Sequence, residues 1–192
     1  MNPSMSANPF LLLQGDDKLF LNRGDALQKM YANYANMEKS KTFLDDYYSF
    51  GNESSKKTIT SINTLSENKH WIIITLPIPY AASNWPIRFS AIDFTGNNIA
   101  VAGRTGMALY SLVTRKWKLF GNETQEKDFV VTGALLWWND FIILGSYSLI
   151  DLSDEIRIYP RDAKLDNRYA KIIKISSPVM LMNIYKNQLV IL

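Results

Sequence analysis

Residues 91–103 read AIDFTGNNIAVAG, residues 132–145 read TGALLWWNDFIILG, and residues 180–192 read MLMNIYKNQLVIL. Each stretch is an apolar strand, a polar turn containing asparagine, and a second apolar strand. Set in register on Ala102, Leu144 and Ile191, they recur at intervals of 42 and 47 residues, within the roughly 40–50 of a propeller blade. Four short strands fit each interval. Such a blade cannot cover its own two faces, so neighbours must stack, and radial stacking leaves only short edges. The expected fold class is all-β: a partial WD40-like β-propeller of antiparallel four-stranded blades, with a long flexible insertion. Three meanders also suit an ordinary β-sandwich or barrel; the period favours the propeller. The usual Gly-His and Trp-Asp blade markers are absent, so the expected repeat is a divergent one.

Working outward, short β-runs follow His70: Trp71–Leu76, Phe89–Phe94, Ile99–Ala102, Met107–Leu112 and Trp117–Phe120. Thr95–Asn98 and Gly103–Gly106 supply residues that tolerate positive φ at the reversals. The grammar recurs as Val130–Trp137, Phe141–Gly145, Ile156–Tyr159 and Tyr169–Ile175, and a third round opens at Val179. Upstream, Phe10–Leu13 and Lys18–Leu21 flank the polar Gln14–Asp17 and read as a hairpin. The domain reading is thus residues 1–24, a blade hairpin; 25–69, a polar, disordered insertion; and 70–192, consecutive blades truncated at the C-terminus. Within the insertion, Leu27, Met30, Tyr31 and Tyr34 recur at helical spacing, which predicts a helical turn over Ala26–Met37. Because the chain stops inside an inner hairpin, it reads as a fragment of a longer polypeptide. Its uncovered terminal sheets predict aggregation or partial order in isolation.

The composition is that of a globular protein, 47% hydrophobic and 12% aromatic over 192 residues. The longest apolar stretches, Trp71–Pro79 and Ala134–Leu144, are too short to cross a bilayer. No basic residue precedes the apolar run Phe10–Leu13, so no secretory signal is expected. Cysteine is absent, which removes disulfides, thiolate catalysis and cysteine-ligated metals, and suits a reducing compartment. The net charge of +3 arises after residue 70, where thirteen basic residues face ten acidic ones. That excess is too thin and dispersed for a nucleic-acid partner.

Few residues suggest chemistry. His70 is the sole histidine, so neither a metal cluster nor a Ser-His-Asp triad assembles in the ordinary way. Asp16–Asp17, Asp45–Asp46 and Asp154–Glu155 sit in turn-like or insertion segments, where neighbours rarely face one site together. Gly103 and Gly106 lack the Lys-Ser/Thr ending of a P-loop, and turn geometry accounts for them. Asn52-Glu53-Ser54 and Asn122-Glu123-Thr124 match the glycosylation tripeptide and, without a signal, read as unmodified. Arg115, Lys116, Trp117 and Lys118 offer either an acidic-partner site or plain alternation. In the second reading Trp117 packs between sheets while Lys116 and Lys118 face water. Trp137 and Trp138 point to opposite faces, one core and one exposed at a blade rim as a partner-binding candidate. No catalytic, cofactor-binding or metal residue is assigned, and no cofactor is expected.

Three segments carry a resemblance: SNWPIRFSAID at Ser83–Asp93, YSLVTRKWKLFGNETQE at Tyr110–Glu126, and WWNDF at Trp137–Phe141. Weaker echoes are FLLLQGDDKLFLNRG at Phe10–Gly24 and LDNRYA at Leu165–Ala170. The chain resembles the WD-repeat Ric subunit of the Ric–Rgp guanine-nucleotide exchange complex for a Golgi Rab GTPase of the Rab-six (yeast Ypt-six) class. That resemblance implies a large peripheral protein partnered by an arrestin-like Rgp subunit. It implies GDP release from the Rab, in support of endosome-to-Golgi retrograde transport, by a cytoplasmic complex on Golgi membranes. The first blades and the C-terminal portion of that family are missing here. A trafficking scaffold without exchange activity is the alternative.

Overall fold

The computed structural model describes residues 10–23 and 71–192. The stretch 25–69 lies outside the described residues, and with it the helical turn expected at Ala26–Met37, Asp45–Asp46 and the Asn52 tripeptide; so does His70. By backbone contact the described residues divide between two units, the second holding Leu12–Leu19 and Ile74–Leu192. Strands β1 (Leu11–Gln14), β2 (Lys18–Asn22) and β3 (Trp71–Thr75) make a three-stranded sheet in that order. All elements from Ile78 onward belong to the second unit.

There, β4 (Phe89–Ile92), β5 (Asn98–Ala102), β6 (Ala108–Ser111) and β7 (Lys116–Lys118) form one four-stranded antiparallel meander. A second follows: β8 (Phe129–Trp138), β9 (Phe141–Ser148), β10 (Ser153–Pro160) and β11 (Lys171–Lys174). A hairpin of β12 (Met182–Tyr185) and β13 (Gln188–Ile191) comes next. Its turn residues Lys186 and Asn187 both have positive φ, as a two-residue type I′ turn requires.

The second blade is apolar on both faces because both are covered. Alternation along β8–β10 sends Leu135, Trp137, Ile142, Leu144 and Tyr159 to one face, against Ala100, Ala102, Met107 and Leu109 of the first blade. The other face carries Ala134, Ile143 and Ile156 against Val179 and Met182. Such two-sided burial yields the continuous runs GALLWW and FIILG, where a one-sided sheet would alternate with polar residues. A bulge between Val131 and Ala134 places Gly133 beneath the chain leading to β12. A Cβ there would lie 1.8 Å from the Val179 carbonyl oxygen.

Two helical turns go unpredicted by the strand pattern. α1 (Ile78–Asn84) begins after Pro77; prolines read as breakers, yet at the start of a helix they remove only a donor that has no partner there. α2 (Glu123–Glu126) is capped by Asn122, whose side chain accepts from the Thr124 amide at 2.9 Å. The β4–β5 reversal differs in detail from its expectation. Only Gly96 has positive φ; the buried Asp93 carboxylate organises the rest, accepting from the Asn97 and Asn98 amides at 2.9 Å each.

Candidate functional site

Asn98, Ser111 and Lys116 lie in a row across β5, β6 and β7, and Ala100, Leu109 and Lys118 form the next row on the same face. A groove of about 410 Å³ opens over these rows, bounded by Trp137 and by Arg161 and Asp162 just beyond β10. Its walls are held from outside. The Trp137 indole donates to the Ala91 carbonyl at 3.3 Å. On the opposite face of the first blade, the Tyr110 and Trp117 rings sit 5.0 Å apart, and the Trp117 indole donates to the Thr75 carbonyl at 3.0 Å.

The two lysines of this face behave differently. Lys118 was expected in water; instead its ammonium donates to the Arg161 carbonyl at 2.7 Å and the Ala163 carbonyl at 2.9 Å. Burial lowers its pKa, partly offset by Asp162. The correction has a simple cause: the face judged solvated is the one against which the next blade's loop packs. Lys116 is exposed, and neither it nor Arg115 has an ion-pair partner among the described residues. Across the groove, Arg161 is balanced by Asp140 at 2.9 Å and Asp162 at 3.1 Å. The arrangement therefore offers one uncommitted ammonium beside an apolar wall of Leu109 and Trp137, a setting for a carboxylate-bearing segment.

Three further readings need correction. Trp138 is not a bare rim residue: it is half-buried, and its indole donates to the Asn187 side chain at 3.3 Å in the following hairpin. Both tryptophans thus fasten adjacent repeats. Glu155 is not in a turn but inside β10, buried and paired with the buried Arg157. The Arg157 guanidinium lies 4.2 Å from the Phe129 ring centroid and reaches the Tyr159 hydroxyl at 3.4 Å. That hydroxyl donates to Asn167 at 2.8 Å, and burial pushes its pKa up to about 12. Gly103 needs no unusual φ; a Cβ there would lie 1.9 Å from the Asn84 carbonyl oxygen, so close approach, not turn geometry, excludes a side chain.

Asn84 is the hub of that approach. Fully buried, it accepts from the Thr105 amide at 2.9 Å and donates to Glu126 at 2.6 Å. Burial raises the Glu126 pKa, with the Asn84 hydrogen bond pulling it down. Asp16 and Asp17 lie in the exposed β1–β2 turn. No group of three or more His, Asp or Glu among the described residues is arranged to hold a metal ion. No described helix is long and apolar enough to cross a membrane.

Comparison with known proteins supplies what local geometry does not. A guanine nucleotide exchange factor subunit RIC1 of Mus musculus is 42% identical over 191 residues, covering 100% of this chain and 13% of the relative. The Homo sapiens protein of that name is 40% identical over 198 residues, with the same coverage. In Caenorhabditis elegans, the guanine nucleotide exchange factor subunit R06F6.8 is 44% identical over 105 residues, or 54% of this chain and 7% of its own. The chain thus spans about 13% of the length of the two mammalian relatives. No solved structure matches it. The family described as the RIC1 second beta propeller domain matches residues 38–192, so the blade pattern and that match agree, and the chain belongs to the RIC1 second β-propeller family.

Proposed function

We propose that this chain is the propeller segment of a guanine-nucleotide exchange factor subunit that promotes GDP release from a Golgi Rab GTPase of the Rab-six class. In this reading the subunit works with an arrestin-like Rgp partner, peripherally on the cytoplasmic side of Golgi membranes, in endosome-to-Golgi retrograde transport. The observation that carries it is 42% identity across the whole chain to a relative named as an exchange-factor subunit. The physics asks for no catalytic side chain. Nucleotide and Mg²⁺ order the GTPase switch loops, and a partner that binds the opened arrangement more tightly shifts the population toward nucleotide loss. A blade stack with walls fixed by indole hydrogen bonds suits the presentation of such a surface.

The test is GDP release from the Rab, measured with the intact protein and its partner, with and without this propeller. Release that falls to the unassisted rate without the propeller, while the complex still assembles, supports the reading. Unchanged release overturns it. Lost assembly, with exchange retained by the remaining subunits, would make the segment a scaffold.

A further inference from the structure

The groove over β5–β7 does not end at Lys118. A second cavity of about 260 Å³ continues from it past Leu119, Gly121 and Lys164, and the two share Lys118 and Asp162. Together they make one slot along β7, with the first blade on one side and the loop after β10 on the other. β7 is the outer strand of its sheet, so among the described residues no further strand lies beside it. Lys118 fixes the middle of the slot, because its bonds to the Arg161 and Ala163 carbonyls hold that loop against the strand. The charges along the slot are unevenly matched. Both of its carboxylates are already paired, Asp162 with Arg161 at 3.1 Å and Asp166 with Arg168 at 2.8 Å. Lys116 lines the first cavity and Lys164 the second. Both lysines are exposed, and neither has an ion-pair partner among the described residues.

We propose that this slot binds an extended, acidic segment of the co-subunit, a chain end or linker with carboxylates for Lys116 and Lys164 and an apolar side chain for the Trp137 wall. The proposal rests on the reading of this chain as part of an exchange assembly. Shape argues for an extended occupant: a recess that follows an outer strand takes a chain laid along it. Charge argues for an acidic one, since the slot leaves two cations unmatched and no carboxylate free. Permanence argues for the co-subunit over the GTPase. A GTPase must leave after each round of exchange, so its contacts have to distinguish its nucleotide states. A slot pinned by Lys118 presents one fixed surface throughout, which suits a standing partner and costs little ordering on docking.

Gly121 lines the slot, and a Cβ there would meet nothing within 4 Å. The test therefore places a benzoylphenylalanine photo-crosslinker at Gly121 in the intact protein, assembled with the co-subunit and GTPase of the exchange reading. A crosslink to a co-subunit segment rich in aspartate and glutamate is expected, and none from the control position Ile78, 83% exposed on α1. Lys116→Glu with Lys164→Glu should weaken co-subunit association about tenfold or more. Changing the carboxylates of the crosslinked segment to lysine should restore it. Arg104→Glu with Lys171→Glu makes the same change of net charge on exposed residues outside the slot and should alter association by less than about twofold. The urea midpoint of the slot variant should match that of the natural protein, because neither lysine is paired. A crosslink only to the GTPase or to a second copy of this chain, a crosslink to a segment without carboxylates, or a slot variant no weaker than the control pair overturns the proposal. So does a slot variant that loses binding to phosphatidylserine vesicles while its co-subunit association stands. Failure of the wild-type assembly to speed GDP release overturns the exchange reading alone, because crosslink and association are scored without nucleotide.

Discussion

The two complete blades solve the same packing problem with opposite materials. The first has strands of three to five residues and presents a face of small side chains, with Ala100 and Ala102 beside Met107 and Leu109. The second has strands of eight to ten residues in β8, β9 and β10 and presses Phe129, Leu135, Leu144 and Tyr159 into that face. Small against large lets the layers interdigitate without voids. Their polar interiors differ too: the first holds neutral Asn84 against the Glu126 carboxyl, with the buried Asp93 carboxylate at the β4–β5 reversal, and the second holds the charged pair Glu155 and Arg157. The lesson is that repeats of one period need not share an interior. What they share is the seam, where a bond from one repeat reaches the next at a separation near one blade: Trp117 to Thr75 at 42 residues, Trp137 to Ala91 at 46, Trp138 to Asn187 at 49.

Breaking the charged interior should have the largest effect. Arg157→Met leaves the Glu155 carboxylate buried without its cation, and about 3–5 kcal/mol of stability should be lost. Adding Glu155→Leu should restore most of it, both read from urea unfolding of the intact protein. A double variant as unstable as the single one would mean that shape, not charge, sets this interior. In the first blade, Gly103→Ala drives a methyl into the Asn84 carbonyl and should cost about 1–3 kcal/mol. Gly121→Ala, with nothing within 4 Å of the new Cβ, should stay within about 0.5 kcal/mol.

The seam itself should respond more gently. Trp137→Phe keeps the ring but removes the donor to Ala91, and about 1 kcal/mol should go; a change in near-ultraviolet ellipticity without one in stability would count against that bond. The smallest effect is pH-dependent. A carboxyl whose folded pKa is raised, as burial does for Glu126, contributes stability that is fully present below its unfolded pKa and fades as pH rises through the folded one. Relative to Glu126→Gln, the natural protein should therefore gain stability as pH falls from 7 toward 4.5. A difference between the two urea midpoints that stays flat over that range would show that the carboxyl titrates normally.

How much of this was legible depended on which force spoke locally. Strand positions were readable because a strand buried on both faces must be apolar throughout, and WNDF, TGNN and YKNQ mark reversals by their backbone tolerances. α1 was not, because Pro77 and Pro79 argue against a helix unless its start is known. Glu155 read as part of an acidic turn because its compensation, Arg157, lies on the same strand face two residues on, and only register shows that face to be buried. Lys118 read as solvated because alternation names a face without saying what covers it. The groove gathers Asn98, Lys116 and Trp137 from three strands and Arg161 from the loop after β10, and no spacing along the chain brings them together.

By itself the sequence determined the class of structure: antiparallel strands at a blade-length period, with asparagine and glycine at the reversals. Those signals are local, set by backbone sterics and by the two-residue alternation of side chains. Only the tertiary structure decided which glycines are wedged against a carbonyl, which lysine is spent on the next blade's loop, and which leucines are left in water at Leu149 and Leu152. Those outcomes depend on partners distant in the chain, Asn84 for Gly103, Val179 for Gly133 and Arg161 for Lys118, separations over which hydropathy and turn preference carry no information about contact.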